Sequence, residues 1–302
     1  MAHVSIHNLR RGIPPQSILW VDECTSIACP ELLFVQMACV FSFPALVQLG
    51  YELCGNFSRS AVDPLNGHVT TNTLAASSVE SIRDYIRTCS YMRNANLALR
   101  AIDCVSDHAL SAPEAVLAMM YSLPEDEAGY EMGRITLNER VCINVNDDSE
   151  GKAHHRYPDI MFSFAPVGIN YDGEGHLDIA GLKEAIRHME GLEGKEYEVE
   201  RKVIYQKLDS MRDKVLDDST RNRELAATGK IVLPATKENL HGRGHLDDYT
   251  RHILMCAHSV FGTDVQKYLQ TLEDTDKTRD RNDLLMSFLP GGRPFGSSHG
   301  KM

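Results

Sequence analysis

Three polar side chains interrupt two otherwise apolar segments in the middle of the chain. Asp159 lies in RYPDIMF, and Asn170 and Asp172 lie two residues apart in VGINYDGEGH. Side chains at i and i+2 of a strand point to the same face, so Asn170 and Asp172 are expected to share one. If 156–164 and 166–172 pair as a hairpin, Asp159 reaches that face too. A carboxylate on a buried strand is unfavourable unless something pairs it.

Converging oxygen ligands are what a hard divalent cation requires, and Mg²⁺ takes one or two carboxylates together with water and phosphate oxygens. A cation held there would activate water and stabilise charge on a phosphate under in-line attack. Glu114, at the start of a preceding helix, would add a carboxylate. His176, just beyond the turn, would transfer protons or bind phosphate. We therefore expect Mg²⁺, or Mn²⁺, as the cofactor.

Each of these residues also has a simpler interpretation. Asp172 with Gly173 forms a plain turn signal, and spacing alone favours that interpretation. Pro158 with Asp159 is likewise common at turns. Glu114 alone is typical of the first turn of a helix, and His176 alone is typical of a surface position.

A resemblance adds to the spacing. The run P-D-I, followed after nine residues by N-Y-D-G-E-G-H, resembles the active-site hairpin of the PD-(D/E)XK nucleases, in particular the very-short-patch-repair-like (Vsr-like) endonucleases. Asp159 matches the first acid of that pattern, Asp172 and Gly173 match its D-G pair, and His176 matches its histidine. Asn170 stands where the family has Glu, and Asp172 stands where the superfamily has Lys. Because Asn supplies only a neutral oxygen, this departure is expected to impair catalysis.

Two further segments extend the resemblance over residues 110 to 240. SAPEAVLAMMYSLP resembles the opening helix of such a domain, and Glu114 matches its acid. DDSTRNRELAATGKIVLPAT resembles the segment before the last core strand, which Asp218, Arg221, Leu225 and Gly229 match. The resemblance implies an α/β, restriction-endonuclease-like fold, in which a mixed sheet is flanked by helices.

The same resemblance implies a metal-dependent endonuclease that cleaves a nucleic acid, with DNA as the expected substrate. Arg156, Arg221 and Arg223 are the candidate phosphate contacts, although for each arginine taken alone a solvated charge at a helix or strand end is the favoured interpretation. The alternative is a catalytically inactive nuclease-fold protein that binds nucleic acid or a protein partner as a regulatory, antitoxin-like module. Asn170 and the net charge of −11 favour this alternative. Separately, CPELLFVQMA lies in a region of about one hundred residues that resembles a connector segment of antitoxins and transcription regulators.

Local patterns predict the elements that must position these residues. Helices are expected at 28–41, 43–55, 77–90, 92–104, 111–122 and 245–261, and throughout 177–227. Strands are expected at 3–9, 135–145, 156–164, 165–172 and 229–236. We expect a mainly helical region with short strands at 1–108, a nuclease-fold domain at 109–290 and a disordered tail at 291–302.

Composition narrows the function classes. The 302 residues are 43% hydrophobic and 24% charged, which is typical of a globular protein, and the net charge is −11. Such acidity argues against a protein that coats nucleic acid by electrostatics alone. The eight cysteines form no CxxC pair, which is typical of free thiols in the cytoplasm. The sequence also shows no apolar leader and no apolar run long enough to span a membrane, so we expect a cytoplasmic protein with no membrane association.

Overall fold

The computed structural model describes residues 12–143, 154–172, 179–190, 192–242 and 244–290. The strand predicted at 3–9 and the tail predicted at 291–302 lie outside this part of the chain. The chain divides into two compact units, Met1–Glu131 and Met132–Met302. The helix that carries Glu114 therefore belongs to the first unit, and both strands of the predicted hairpin belong to the second.

The first unit is mainly helical, as its sequence predicts. Its helices are α1 (Pro30–Met37), α2 (Phe43–Cys54), α3 (Val79–Thr88), α4 (Ala95–Asp103) and α5 (Ala112–Ser122). Two short hairpins accompany them, formed by β1 (Ile18–Trp20) with β2 (Ser26–Ala28) and by β3 (Phe57–Ser58) with β4 (Thr70–Thr71). Helix α5 begins where Ser111 accepts a hydrogen bond from the Glu114 amide, as expected of an N-cap. Its apolar residues from Ala115 to Tyr121 are all buried.

The second unit contains a mixed sheet flanked by helices. Its strands are β5 (Ile135–Leu137), β6 (Val141–Ile143), β7 (His154–Arg156), β8 (Ile160–Phe162), β9 (Val167–Asp172) and β10 (Ile231–Thr236). Its helices are α6 (Ile179–Met189), α7 (Gly194–Ala227), α8 (Lys237–Leu240), α9 (His245–Phe261), α10 (Gln266–Leu272) and α11 (Thr275–Phe288). The predicted α/β class is confirmed by these elements.

Four strands form the central sheet in the order β10-β9-β8-β5. Strand β8 pairs antiparallel with both β5 and β9, so the predicted hairpin is present. Strand β10 returns after α7 and pairs parallel with β9. A parallel neighbour requires a crossover connection, and α7 lies within it.

Alternate residues of the sheet face different helices. Met161 and Val232 share a buried cluster with Leu225 of α7 and with Val141 and Ile143 of β6. Helix α9 also contacts the sheet, where the hydroxyl of Tyr249 donates to the carbonyl of Leu233 at 3.0 Å. Because Asp159 and Asn170 have the same parity as Met161 and Gly168, they lie on the α7 face.

The strand predicted at 135–145 is interrupted, and its two parts join different sheets. Asn138 adopts a left-handed backbone (φ 51°) immediately after β5, a conformation that Asn tolerates better than most residues. Its amide donates to the carbonyl of Asp159 at 3.1 Å. The alternation of side chains continues past Asn138 in the sequence, but the left-handed backbone at Asn138 turns the chain away from β8.

The predicted helix 177–227 is also divided, into α6 and α7, which pack against each other. Helix α7 is long and mostly exposed, with only Ile204 and Leu225 buried among its residues. No helix in the described ranges has both the length and the apolar character needed to cross a membrane.

Gly168 controls how closely β8 and β9 approach each other. A Cβ at Gly168 would lie 2.3 Å from the Met161 sulfur and 2.4 Å from the Ile160 carbonyl oxygen, and the backbone atom has little room to yield. We predict that Gly168→Ala lowers the free energy of unfolding by roughly 1–3 kcal/mol, as overpacking does. Urea denaturation followed by circular dichroism measures this change.

The matched control is Gly12→Ala, because a Cβ at Gly12 meets no atom within 4 Å. An equal effect of the two substitutions would contradict the close strand approach.

Candidate functional site

Asp159 and Asn170 face each other across the β8–β9 pair. The register places Ile160 opposite Ile169, and one further step places Asp159 opposite Asn170. The Asp159 amide donates to Oδ1 of Asn170 at 3.2 Å, and the Tyr171 amide donates to Oδ2 of Asp159 at 2.6 Å. The side chains of Asn170 and Asp159 thus continue the hydrogen bonding between β8 and β9. The backbone ladder itself stops at Pro158, since proline has no amide hydrogen.

Asp172 lies on the same face, two residues beyond Asn170. Its neighbour on the parallel strand is Thr236. Its charge also acts on the Asp159 carboxyl. The structure therefore brings Asp159, Asn170 and Asp172 together at one end of the sheet, as the hairpin predicts.

Burial raises the pKa of the Asp159 carboxyl to about 6, from an ordinary value of 3.8. The hydrogen bond from the Tyr171 amide and the positive charge of Arg221 oppose this shift, and the negative charge of Asp172 adds to it. Desolvation thus outweighs the hydrogen bond and the cation together. A carboxyl with such a pKa changes charge near neutrality and responds to any added cation.

Arg221 reaches this face from helix α7. Leu225, one helical turn later, packs in the cluster that contains Met161 and Val232. Arg221 pairs with Asp218 through Nη2 at 2.9 Å. Its Nε is buried and has no hydrogen-bond partner among the described residues.

A second buried donor lies beside Asp159. Asn170 is 2% exposed, and its Nδ2 likewise has no hydrogen-bond partner in the described part of the chain. An amide flip does not remove this orphan, because the nitrogen would then face the Asp159 amide. Unpaired buried donors are rare in folded proteins, so an ordered water or a ligand acceptor would complete the hydrogen bonding of these two.

The other two candidate phosphate arginines lie differently. Arg156 on β7 donates to Glu224 at 2.6 Å and to Asp217 at 3.1 Å, both on α7. Its hydrogen bond holds the pKa of Glu224 below the ordinary value. Arg223 is exposed and donates to the hydroxyl of Thr220 at 3.1 Å. Arg156 therefore ties β7 to α7, and its charge is already matched by two carboxylates.

Glu114, expected to supply a further metal ligand, belongs to the first unit. Glu114 is 3% exposed in the first unit, where its Oε2 accepts from the Leu110 amide at 3.1 Å. This contact gives Glu114 a structural role at the start of α5. His176 lies outside the described residues, as does Glu174.

The donor set fits one hard divalent cation that is only partly coordinated by protein. Within the described ranges, no three His, Cys, Asp or Glu side chains come together as a metal site. Two carboxylates are nevertheless sufficient for Mg²⁺ when water and phosphate oxygens complete the shell. Among described residues no hydrogen bond reaches Oδ1 of Asp159, whereas Oδ1 of Asn170 already accepts from the Asp159 amide. Asp159 and Asp172 are thus the candidate ligands, and Asn170 positions Asp159.

Comparison with protein-family models, with curated proteins and with solved structures returned no match to this chain.

The raised pKa of Asp159 makes folding stability depend on pH. A folded-state pKa of about 6 against an ordinary 3.8 means that the folded protein binds the proton more tightly than the unfolded chain. This contribution to stability is complete below about pH 4 and is lost as pH rises through about 6. Asp159→Asn removes the titration and keeps an oxygen that accepts from Tyr171.

We predict that Asp159→Asn gains stability relative to the natural protein between about pH 4 and pH 6, by up to about 3 kcal/mol. Urea denaturation of both proteins across this range gives the difference. A difference that is constant with pH would contradict the shifted carboxyl.

Proposed function

We propose that the second unit is a metal-dependent nuclease that hydrolyses a phosphodiester bond, with DNA as the expected substrate. The observation that carries the proposal is the meeting of Asp159 and Asp172 on one sheet face beside the charge of Arg221. The element order also supports it. The resemblance calls for a hairpin, a helix and a last core strand, and β8, β9, α7 and β10 occur in that order.

The chain's own residues divide the work. Asp159 and Asp172 would hold Mg²⁺ or Mn²⁺, which supplies Lewis-acid stabilisation of phosphate charge and activates water. Asn170 holds the Asp159 backbone in place through its Oδ1, while its Nδ2 is a buried donor that no described residue uses. Arg221 would contact phosphate through the Nε that the protein leaves unpaired. His176 is the proposed proton-transfer residue.

A second function is favoured by one specific observation. Asn170 occupies the position where the related nucleases carry Glu, and its amide oxygen is already used by the Asp159 amide. A site that lacks the carboxylate of the usual Glu and has a raised Asp159 pKa would bind nucleic acid or a protein partner without cutting. This alternative is an inactive nuclease-fold protein with a regulatory, antitoxin-like role.

The central prediction concerns cleavage. Supercoiled plasmid and single-stranded DNA should be cut when Mg²⁺ or Mn²⁺ is added, and EDTA should prevent the cut. Asp172→Ala should reduce the rate by more than the roughly 10- to 100-fold that follows from loss of an outer-sphere partner, because it removes a ligand. Gel assays under single-turnover conditions measure these rates.

Asp213→Ala is the matched control, since it removes an exposed carboxylate from α7 and should leave the rate unchanged. No cleavage by the natural protein, combined with cleavage by Asn170→Glu, would establish the inactive-fold alternative.

Metal binding has a readout independent of cleavage. A cation that binds only the folded protein stabilises it by mass action, by about 2.7 kcal/mol at a concentration one hundred times its dissociation constant. We predict that Mg²⁺ or Mn²⁺ raises the melting temperature of the natural protein, and that Asp172→Ala abolishes the rise. A rise that persists in Asp172→Ala would place the cation elsewhere.

A further inference from the structure

A second feature of the sheet is an open groove lined by residues of β5 and β8 and of the segments that precede β5, β9 and β10. It encloses about 420 Å³ within the second unit. Its lining includes Arg134, Thr136, Glu139, Ser163, Phe164 and Lys230. No residue singled out by the nuclease resemblance lines it.

Two cations define one end of this groove. Arg134 precedes β5 and is exposed, whereas Lys230 precedes β10 and is half-buried. Neither side chain has an ion pair or a side-chain hydrogen bond among the described residues. In a chain of net charge −11, two unmatched cations in one groove form a local site for an anion.

The lining also offers a hydroxyl and an aromatic ring. Ser163 is exposed, and its amide donates to the Arg134 carbonyl at 3.0 Å, so the two residues are held together. Phe164 is half-buried, and its ring packs 5.2 Å from Phe162 and 5.7 Å from Tyr268, measured between centroids. A fixed aromatic ring beside cations is how proteins bind unstacked bases and their phosphates.

The groove leads toward the carboxylate site. Thr136, in its middle, pairs with Met161, and its hydroxyl donates to Glu139 at 3.1 Å. Between them along the chain, the Asn138 amide donates to the Asp159 carbonyl. Asp159 and Ser163 are four residues apart on one extended segment, about 13 Å at roughly 3.3 Å per residue, which leaves room for a few nucleotides.

We propose that this groove binds single-stranded nucleic acid, with phosphates at Arg134 and Lys230 and a base on Phe164, and directs the strand toward Asp159 and Asp172. The assignment of ligand class rests on the proposed function. Glu139 would repel a phosphate, and the cation proposed at Asp159 and Asp172 would offset this repulsion. The cationic end supplies the attraction that the acidic surface elsewhere lacks.

Fluorescence anisotropy of labelled oligothymidylate, measured in EDTA over a range of salt concentrations, tests the groove without cleavage. The double variant Arg134→Ala/Lys230→Ala should reduce the slope of log affinity against log salt by about 1.4, since each single-strand phosphate contact contributes about 0.7. Phe164→Leu, which keeps an apolar side chain, should weaken binding roughly five- to 100-fold. Circular dichroism melting verifies that each variant is folded.

The matched control is Lys202→Ala/Arg212→Ala, which removes two exposed charges from α7 and should leave the slope near that of the natural protein. The groove proposal is contradicted if the natural protein does not bind the oligothymidylate, or if the control variant loses as much salt slope as the groove variant. It is also contradicted if thymidine monophosphate binds as tightly as the strand. Strand binding that depends on the groove residues, without metal-dependent cleavage, would support the groove proposal and contradict the proposed nuclease activity. Metal-dependent cleavage by the natural protein, together with an unchanged salt slope in the groove variant, would support the proposed activity and contradict the groove.

Discussion

The candidate site depends on one constraint, the desolvation of the Asp159 carboxyl where β8 meets β9. Burial there opposes ionisation, and a single strong backbone hydrogen bond from Tyr171 and the charge of Arg221 only partly offset it. The strands lie close together beside this carboxyl, because Gly168 has no side chain to hold them apart. The residual electrostatic imbalance is what an added cation would remove.

Helix α7 connects this constraint to the rest of the second unit. Its last turns place Leu225 in the cluster beneath the sheet and Arg221 near the Asp159 carboxyl. Arg156 fastens β7 to the same turns through Glu224 and Asp217. Two of the arginines predicted to contact phosphate therefore have different roles. Arg156 is structural, and Arg221 keeps an unused donor at the site.

Local signals predicted much of this arrangement. The β8–β9 hairpin and helix α9 follow from strong periodicity, and α5 follows from its Ser111 cap and Pro113. The interruption at Asn138 did not follow, because its left-handed backbone is held by a carbonyl twenty-one residues later in the chain. The match of Arg156 with Glu224 spans 68 residues, and no local pattern reveals such a partner. Arg134 and Lys230 were equally hidden, since each appears alone before a strand and only the sheet order brings them to one groove.

The central claim is that one cation binds between Asp159 and Asp172. Anomalous scattering from bound Mn²⁺ tests this claim directly. Crystals soaked in Mn²⁺ and measured for anomalous scattering should show a peak in coordination contact with carboxylate oxygens of both Asp159 and Asp172, at roughly the 2.0–2.2 Å typical of small divalent cations. The peak should be absent in Asp172→Ala. An empty site at saturating Mn²⁺, or a peak held by only one of the two residues, would contradict the account.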